Sequence, residues 1–203
     1  MLIGVSLGPG DPGLMTFKAA DALSSSEKVF VPGEMAADLA RPYCLPEILE
    51  FPMIGDEAKL NEIWSRNADT VAASASMAKT AFACIGDVNT FSTFTHLKRV
   101  LLQRHPEVEV DSIPGVGVVP TLASRFGVGL DKSFIVSDGS DVSSLIRIKA
   151  LRPRKIAAEL ALQGFDDFIL GTKLCTPDET ISRDKMPEKS DYFSVLYARR
   201  KRT

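Results

Sequence analysis

Three short segments carry residue types suited to handling a ligand: Gly8-Pro9-Gly10-Asp11-Pro12, Gly86-Asp87-Val88-Asn89-Thr90 and Ile113-Pro114-Gly115-Val116-Gly117-Val118. Glycine lets a backbone approach a ligand closely, and proline stiffens a loop so that less entropy is lost on binding. The first segment is not GxGxxG, because Asp11 and Pro12 follow its second glycine, and no GK[ST] follows to make it a phosphate loop. Taken alone it is equally a tight connection. In the second, Asp87 stands where a strand should end and a helix begin. A carboxylate there either caps the helix or accepts hydrogen bonds from a ligand's hydroxyls or amine. The backbone N–H groups near Thr90 suit a ligand carboxylate. The third segment is equally a hinge.

The elements that must position these loops alternate. Leu2–Leu7 reads as a buried strand, followed by a helix over 16–24 with Phe17, Ala20 and Leu23 on one face. Val29–Val31 is a short strand stopped by Pro32-Gly33. A long amphipathic helix over 56–77 shows Leu60, Ile63, Trp64, Asn67 and Val71 at spacings of three and four. Thr80–Ile85 is a third strand. A helix over 91–104 follows, with Phe94, Leu97 and Leu101 inward, and then a strand over 108–113. Strand, loop and helix repeated in this order predict a parallel α/β sheet, in which ligands gather beyond the carboxyl ends of the strands. The second half is less regular: a helix over 116–126, strands over 133–136 and 145–148, a helix over 156–163, and strands over 167–171 and 192–197 joined by a hairpin-like return. The fold class is therefore α/β with two lobes, residues 1–113 and 114–203, a mostly parallel N-terminal sheet and a mixed C-terminal one.

The 203-residue chain is 45% hydrophobic and 25% charged, with a formal net charge of −2. No overall basic field argues for nucleic acid, and the run Arg199, Arg200, Lys201, Arg202 reads as a solvated tail. Cys44, Cys84 and Cys175 lack CxxC spacing, and His96 and His105 do not join them as a metal site, so no metal is expected. They read as reduced thiols, with Cys84 a small core residue. Neither a signal peptide nor a membrane span is expected, which predicts a soluble, cytoplasmic protein.

In order and content the three loops resemble those of the tetrapyrrole methylase family. Its N-terminal signature, Gly-x-Gly-Pro-Gly-Asp-Pro-x-x-x-Thr, is matched from Ser6 to Thr16 with Ser6 in place of the first glycine. Its Gly-Asp-Pro is matched by Gly86-Asp87-Val88, with Val88 replacing proline, and its Pro-Gly turn by Pro114-Gly115-Val116. Phe51-Pro52-Met53, Phe91-Ser92-Thr93-Phe94, Ile148-Lys149 and Tyr192-Phe193-Ser194-Val195-Leu196 resemble the family's precorrin-2 C-20 methyltransferase branch. The resemblance implies two α/β lobes, a homodimer, and S-adenosylmethionine bound between the lobes and released as S-adenosylhomocysteine. It implies methylation of C-20 of precorrin-2 or cobalt-precorrin-2 in corrinoid biosynthesis. Cofactor contacts would fall on Pro9, Ile85, Gly86, Asp87, Thr90, Gly117, Val118, Lys149 and Cys175. Gly8, Gly10, Asp11 and Pro12 would border the tetrapyrrole trough. The chain departs from the family at Val88 and at Gly117-Val118, and its segment between Leu130 and Leu145 is shorter than is usual in the branch. Asp11 and His96 are the candidates for accepting the proton that leaves the methylated carbon. Arg41, Arg125, Arg147 and Lys149 could pair with substrate carboxylates. Another acceptor, or ligand binding without turnover, are the alternatives.

Overall fold

The computed structural model describes residues 1–52, 55–183 and 185–200. Met53, Lys201 and Arg202, which entered the sequence analysis, lie outside them. The chain forms two compact units that divide between Phe134 and Ile135, whereas the sequence reading placed a boundary at Ile113.

The first unit is a five-stranded parallel sheet in the order β3-β2-β4-β1-β5. Its strands are β1 (Leu2–Ser6), β2 (Lys28–Val31), β3 (Glu47–Ile48), β4 (Thr80–Cys84) and β5 (Val110–Ile113). Side chains alternate between its faces with the period of two that a pleated strand imposes. Ile3, Val5, Val29, Val31, Ala81 and Ala83 join one core cluster with Ala19, Ala22 and Leu23 of helix α1 (Phe17–Ser25) and Ala36, Ala37 and Leu39 of α2 (Glu34–Ala40). Leu2, Phe30, Phe82 and Cys84 face the other way. They pack on Ala68, Val71 and Ala72 of α3 (Glu57–Met77) and Phe94, Leu97 and Leu101 of α4 (Thr93–Arg104). Gly4 is required by this packing, because a Cβ there would lie 2.4 Å from the Phe94 ring.

Helix starts follow side-chain chemistry. Thr16, Asp56 and Ser92 each accept a hydrogen bond from the N–H three residues on, capping α1, α3 and α4. Asp87 is thus not the cap of α4. The buried face of α1 is Ala19, Ala22 and Leu23, and Phe17 is 93% exposed, so the stripe expected through Phe17 and Ala20 is corrected. The small Ala19 and Ala22 meet the sheet closely and leave the larger Phe17 on the outer face. Across the helices, Arg104 grips Asp69 of α3 with two bonds of 2.8 and 2.7 Å, and His105 Nε2 lies 2.7 Å from the same carboxylate. These hydrogen bonds, Arg104's first, hold the Asp69 carboxyl at about 2.

Helix α5 (Val118–Phe126) belongs to the first unit and ends on Gly127, whose φ of 63° is left-handed. No strand forms over 133–136, contrary to expectation. The second unit carries a four-stranded sheet in the order β6-β9-β7-β8, from β6 (Ser144–Ile148), β7 (Asp167–Thr172), β8 (Thr180–Ser182) and β9 (Ser194–Arg199). All its pairings are antiparallel where a mixed sheet was expected. Helix α6 (Pro153–Ala161) covers one face through Ala157 and Leu160, against Leu170, Leu196 and Ala198.

Candidate active site

The three loops leave the carboxyl ends of β1, β4 and β5, which are neighbours in the sheet with β1 in the middle. From β1 the chain crosses to β2 on one side, and from β4 it crosses to β5 on the other. The gap between β1 and β4 is therefore a topological switch point, where open α/β sheets bind ligands. Gly8 and Gly86 meet across that gap and exchange backbone hydrogen bonds of 3.3 and 2.6 Å. Both have φ of 76°, and Gly10 has φ of 120°, a region glycine enters at little cost. Open space lies where side chains at Gly10 and Gly86 would project. A ligand can therefore approach the bare backbone there.

Asp87 organises the second loop. One carboxylate oxygen accepts from Asn89 N at 2.9 Å and from the Thr90 hydroxyl at 3.1 Å, and the other accepts from Gly115 N at 3.0 Å. The carboxylate therefore braces its own turn and ties it to the third loop. Asn89 adds a bond to the Ser112 hydroxyl at 3.0 Å. Thr90 is exposed, Ile85 and Asp87 are half-buried, and Val88 is buried in the α3–α4 core cluster. Phe91, which closes the loop, holds φ of 48°, a left-handed conformation that is strained for a bulky residue. In the third loop Gly117 precedes α5, and a Cβ on it would sit 3.5 Å from Asp87 Cβ. Its carbonyl accepts from the Thr121 hydroxyl at 2.8 Å. Val118, the first residue of α5, is 58% exposed.

In the first loop Pro9 is half-buried and Gly10, Asp11 and Pro12 are exposed. Asp11 accepts from Gly13 N at 2.9 Å and starts a short 3-10 turn over Pro12–Leu14. His96 is exposed on α4, its ring 5.7 Å from that of Trp64 and its Nδ1 3.4 Å from Arg99 Nη2. Arg41 is engaged by Glu34 and Asp38, while Arg125 and Arg147 are exposed.

Lys149 and Cys175 lie in the second unit; Lys149 lines a cavity of about 600 Å³ with Lys173, Leu174, Tyr192 and Phe193 among others, and Cys175 is exposed and not part of that lining. The Lys149 ammonium stands 5.1 Å from the Tyr192 ring centroid. Lys149, Lys173 and Cys175 have φ of 54°, 49° and 64°. Each of these is a left-handed conformation that costs a non-glycine residue energy. Lys173 has no signal in the sequence, since neither conformation nor proximity leaves a motif, and Phe193 stands out there only within the Tyr192–Leu196 match, with nothing to mark it as lining a cavity. Cys84 is buried, which pushes its thiol up to about 12 and leaves it protonated at neutral pH. Among the described residues no group of three or more His, Cys, Asp and Glu side chains is gathered to hold a metal, and no helix is long and apolar enough to cross a membrane.

Residues 1–188 match the family described as Tetrapyrrole (Corrin/Porphyrin) Methylases. A Methanocaldococcus jannaschii protein named "Probable cobalt-precorrin-2 C(20)-methyltransferase" is 28% identical over 97% of this chain and 95% of its own. A Salmonella typhimurium protein named "Cobalt-precorrin-2 C(20)-methyltransferase" is 30% identical over 83% of this chain and 71% of its own. Among solved structures, the uroporphyrin-III-C-methyltransferase of Thermus thermophilus shares the fold. It has a TM-score of 0.52 and 17% identity, over 98% of this chain and 91% of that one. The chain thus belongs to the tetrapyrrole methylase family and is an S-adenosylmethionine-dependent C-methyltransferase.

Proposed function

We propose that this chain transfers a methyl group from S-adenosylmethionine to C-20 of precorrin-2 or cobalt-precorrin-2 in corrinoid biosynthesis. What carries the proposal is the relative from M. jannaschii, similar from end to end and bearing the name of that reaction. The loops fit the cofactor chemically: glycines at the switch point leave backbone open, the Asp87 turn presents Thr90, and the second unit offers an aromatic and cationic cavity.

S-adenosylmethionine supplies an electrophilic methyl on a sulfonium whose leaving thioether is neutral, so departure needs no proton. The work left to the chain is orientation and exclusion of water. Within the first unit Pro9, Ile85, Gly86, Asp87, Thr90, Gly117 and Val118 would hold the cofactor; Lys149 and Cys175 are the corresponding candidates within the second unit. Gly8, Gly10, Asp11 and Pro12 border the tetrapyrrole. As the C–S bond breaks and the new C–C bond forms, the meso carbon must shed a proton. Asp11 stands on the substrate-bordering loop, whereas the contacts of His96 with Trp64 and Arg99 suit a surface role. Exposed Arg125 and Arg147 remain partners for substrate carboxylates, and Arg41 is already paired. Ile146, Ile148 and Ile181 are exposed on the second sheet, which supports a homodimer. Three free cysteines support a reducing, cytoplasmic setting.

Anaerobic incubation with labelled S-adenosylmethionine and precorrin-2, with and without cobalt, tests the assignment. One methyl located at C-20 by mass spectrometry and NMR is the expected product. Cofactor binding without transfer to either form overturns it.

A further inference from the structure

We infer that Ser6 is a positioning residue, and that positions 6, 88 and 115 form one coupled set that fixes the second and third loops. This rests on the proposal that those loops hold S-adenosylmethionine. Ser6 ends β1 and is fully buried. Its hydroxyl donates to Ile113 O at 2.7 Å and accepts from Val88 N at 2.8 Å. A single side chain in the middle strand therefore ties the second loop to the end of β5. Val88 is itself fully buried, so its amide must find an acceptor. A proline at 88 would carry no N–H and make no such demand.

The second coupling is steric. A Cβ on Gly115 would lie 2.4 Å from Ser6 Cβ, while beyond Ser6 its nearest neighbour is Gly86 O at 3.5 Å, an ordinary contact. The Ser6 side chain is thus what forbids a side chain at 115. Gly115 in turn donates to the Asp87 carboxylate, so the depth at which Gly115 seats against Ser6 sets where that carboxylate is held. Without the hydroxyl, the free second loop can turn Val88 N–H toward water. Ligand affinity then falls by the fraction of molecules that keep the competent arrangement.

The full chain is titrated calorimetrically with S-adenosylmethionine, and amide hydrogen exchange is followed across residues 86–92. Ser6→Ala is expected to weaken binding about tenfold and to speed exchange in that segment. In a Val88→Pro background the same replacement costs less than about threefold. Gly115→Ala weakens binding in the unaltered chain and costs much less when added to a Ser6→Gly chain, each compared with its own parent. Unchanged exchange and affinity in Ser6→Ala, simple additivity at 6 and 88, or a Gly115→Ala cost that is the same in the Ser6→Gly chain as in the unaltered one each overturn the inference. The Gly115 pair stands independently should Val88→Pro fold poorly. If the unaltered chain takes up no S-adenosylmethionine while the exchange pattern holds, the cofactor assignment fails and the positioning role of Ser6 stands.

Discussion

Replacing Asp87 with Asn keeps the shape of the side chain and removes one acceptor. In the native loop one oxygen serves Asn89 N and the Thr90 hydroxyl, and the other serves Gly115 N at 3.0 Å. An amide has a single acceptor oxygen, so if that oxygen stays with Asn89 and Thr90, its NH₂ opposes the N–H of Gly115. Flipping the amide only moves the conflict to the other side. Leaving one donor unsatisfied costs about 1–3 kcal/mol, and because Gly115 is half-buried the lower part of that range applies, about 1.5 kcal/mol. That corresponds to roughly a tenfold change in an equilibrium constant. Urea denaturation should show a lower midpoint with an unchanged slope. Calorimetric titration with S-adenosylmethionine should show affinity about tenfold weaker, since the third loop is no longer tied to the second. A variant that matches the unaltered protein in both measurements would refute the bracing role of the carboxylate.

Gly4→Ala should destabilise the first unit by about 1–3 kcal/mol, because its Cβ would lie 2.4 Å from the buried Phe94 ring. Phe94→Leu in the same chain should recover part of that loss in urea denaturation, and an unaffected Gly4→Ala variant would disprove the contact. Asp69, held at about 2 against an ordinary 3.8, contributes stability that is present above its ordinary value and is lost as pH falls toward 2. Asp69→Asn should therefore flatten the acid side of the stability profile in that window, and an unchanged slope would show that Arg104 and His105 do not act through it.

Much of the first unit was legible because its signals are local. The apolar runs of β1, β2 and β4 mark buried strands, and the Phe94-Leu97-Leu101 stripe of α4 fixes its inward face directly. The short α2 has no strong apolar stripe, because it is only seven residues long and buries mainly Ala36, Ala37 and Ala40 beside Leu39. β3 is only Glu47–Ile48, too brief for alternation to declare itself. In the second unit β6 reads as a strand, but parallel or antiparallel pairing depends on partners some fifty residues away in β9. The loops of the candidate site were visible as Gly, Pro and Asp clusters. What stayed hidden was which groups they spend on each other. Asp87 reads in the sequence as cap or ligand contact; it does not cap α4, and its bracing of two loops is visible only in the folded chain. Ser6 looked like a departure from a pattern, and its role appears only when Val88 N and Ile113 O are seen on either side of it.

The placing of β1 between β4 and β5 also has a consequence for the order of folding. Ser6 bonds to groups 82 and 107 residues further along the chain, and β1 pairs with β4 and β5 but with neither β2 nor β3. During synthesis the first strand must wait, its edges unmatched, until β4 and then β5 have left the ribosome. Long-range parallel pairings of this kind are slow to form because loop closure precedes the contacts that reward it. The loops of the candidate site are thus among the last parts of the first unit to be set, and a nascent chain ending before Ile113 presents an open β1 edge to whatever chaperone or neighbouring strand meets it first.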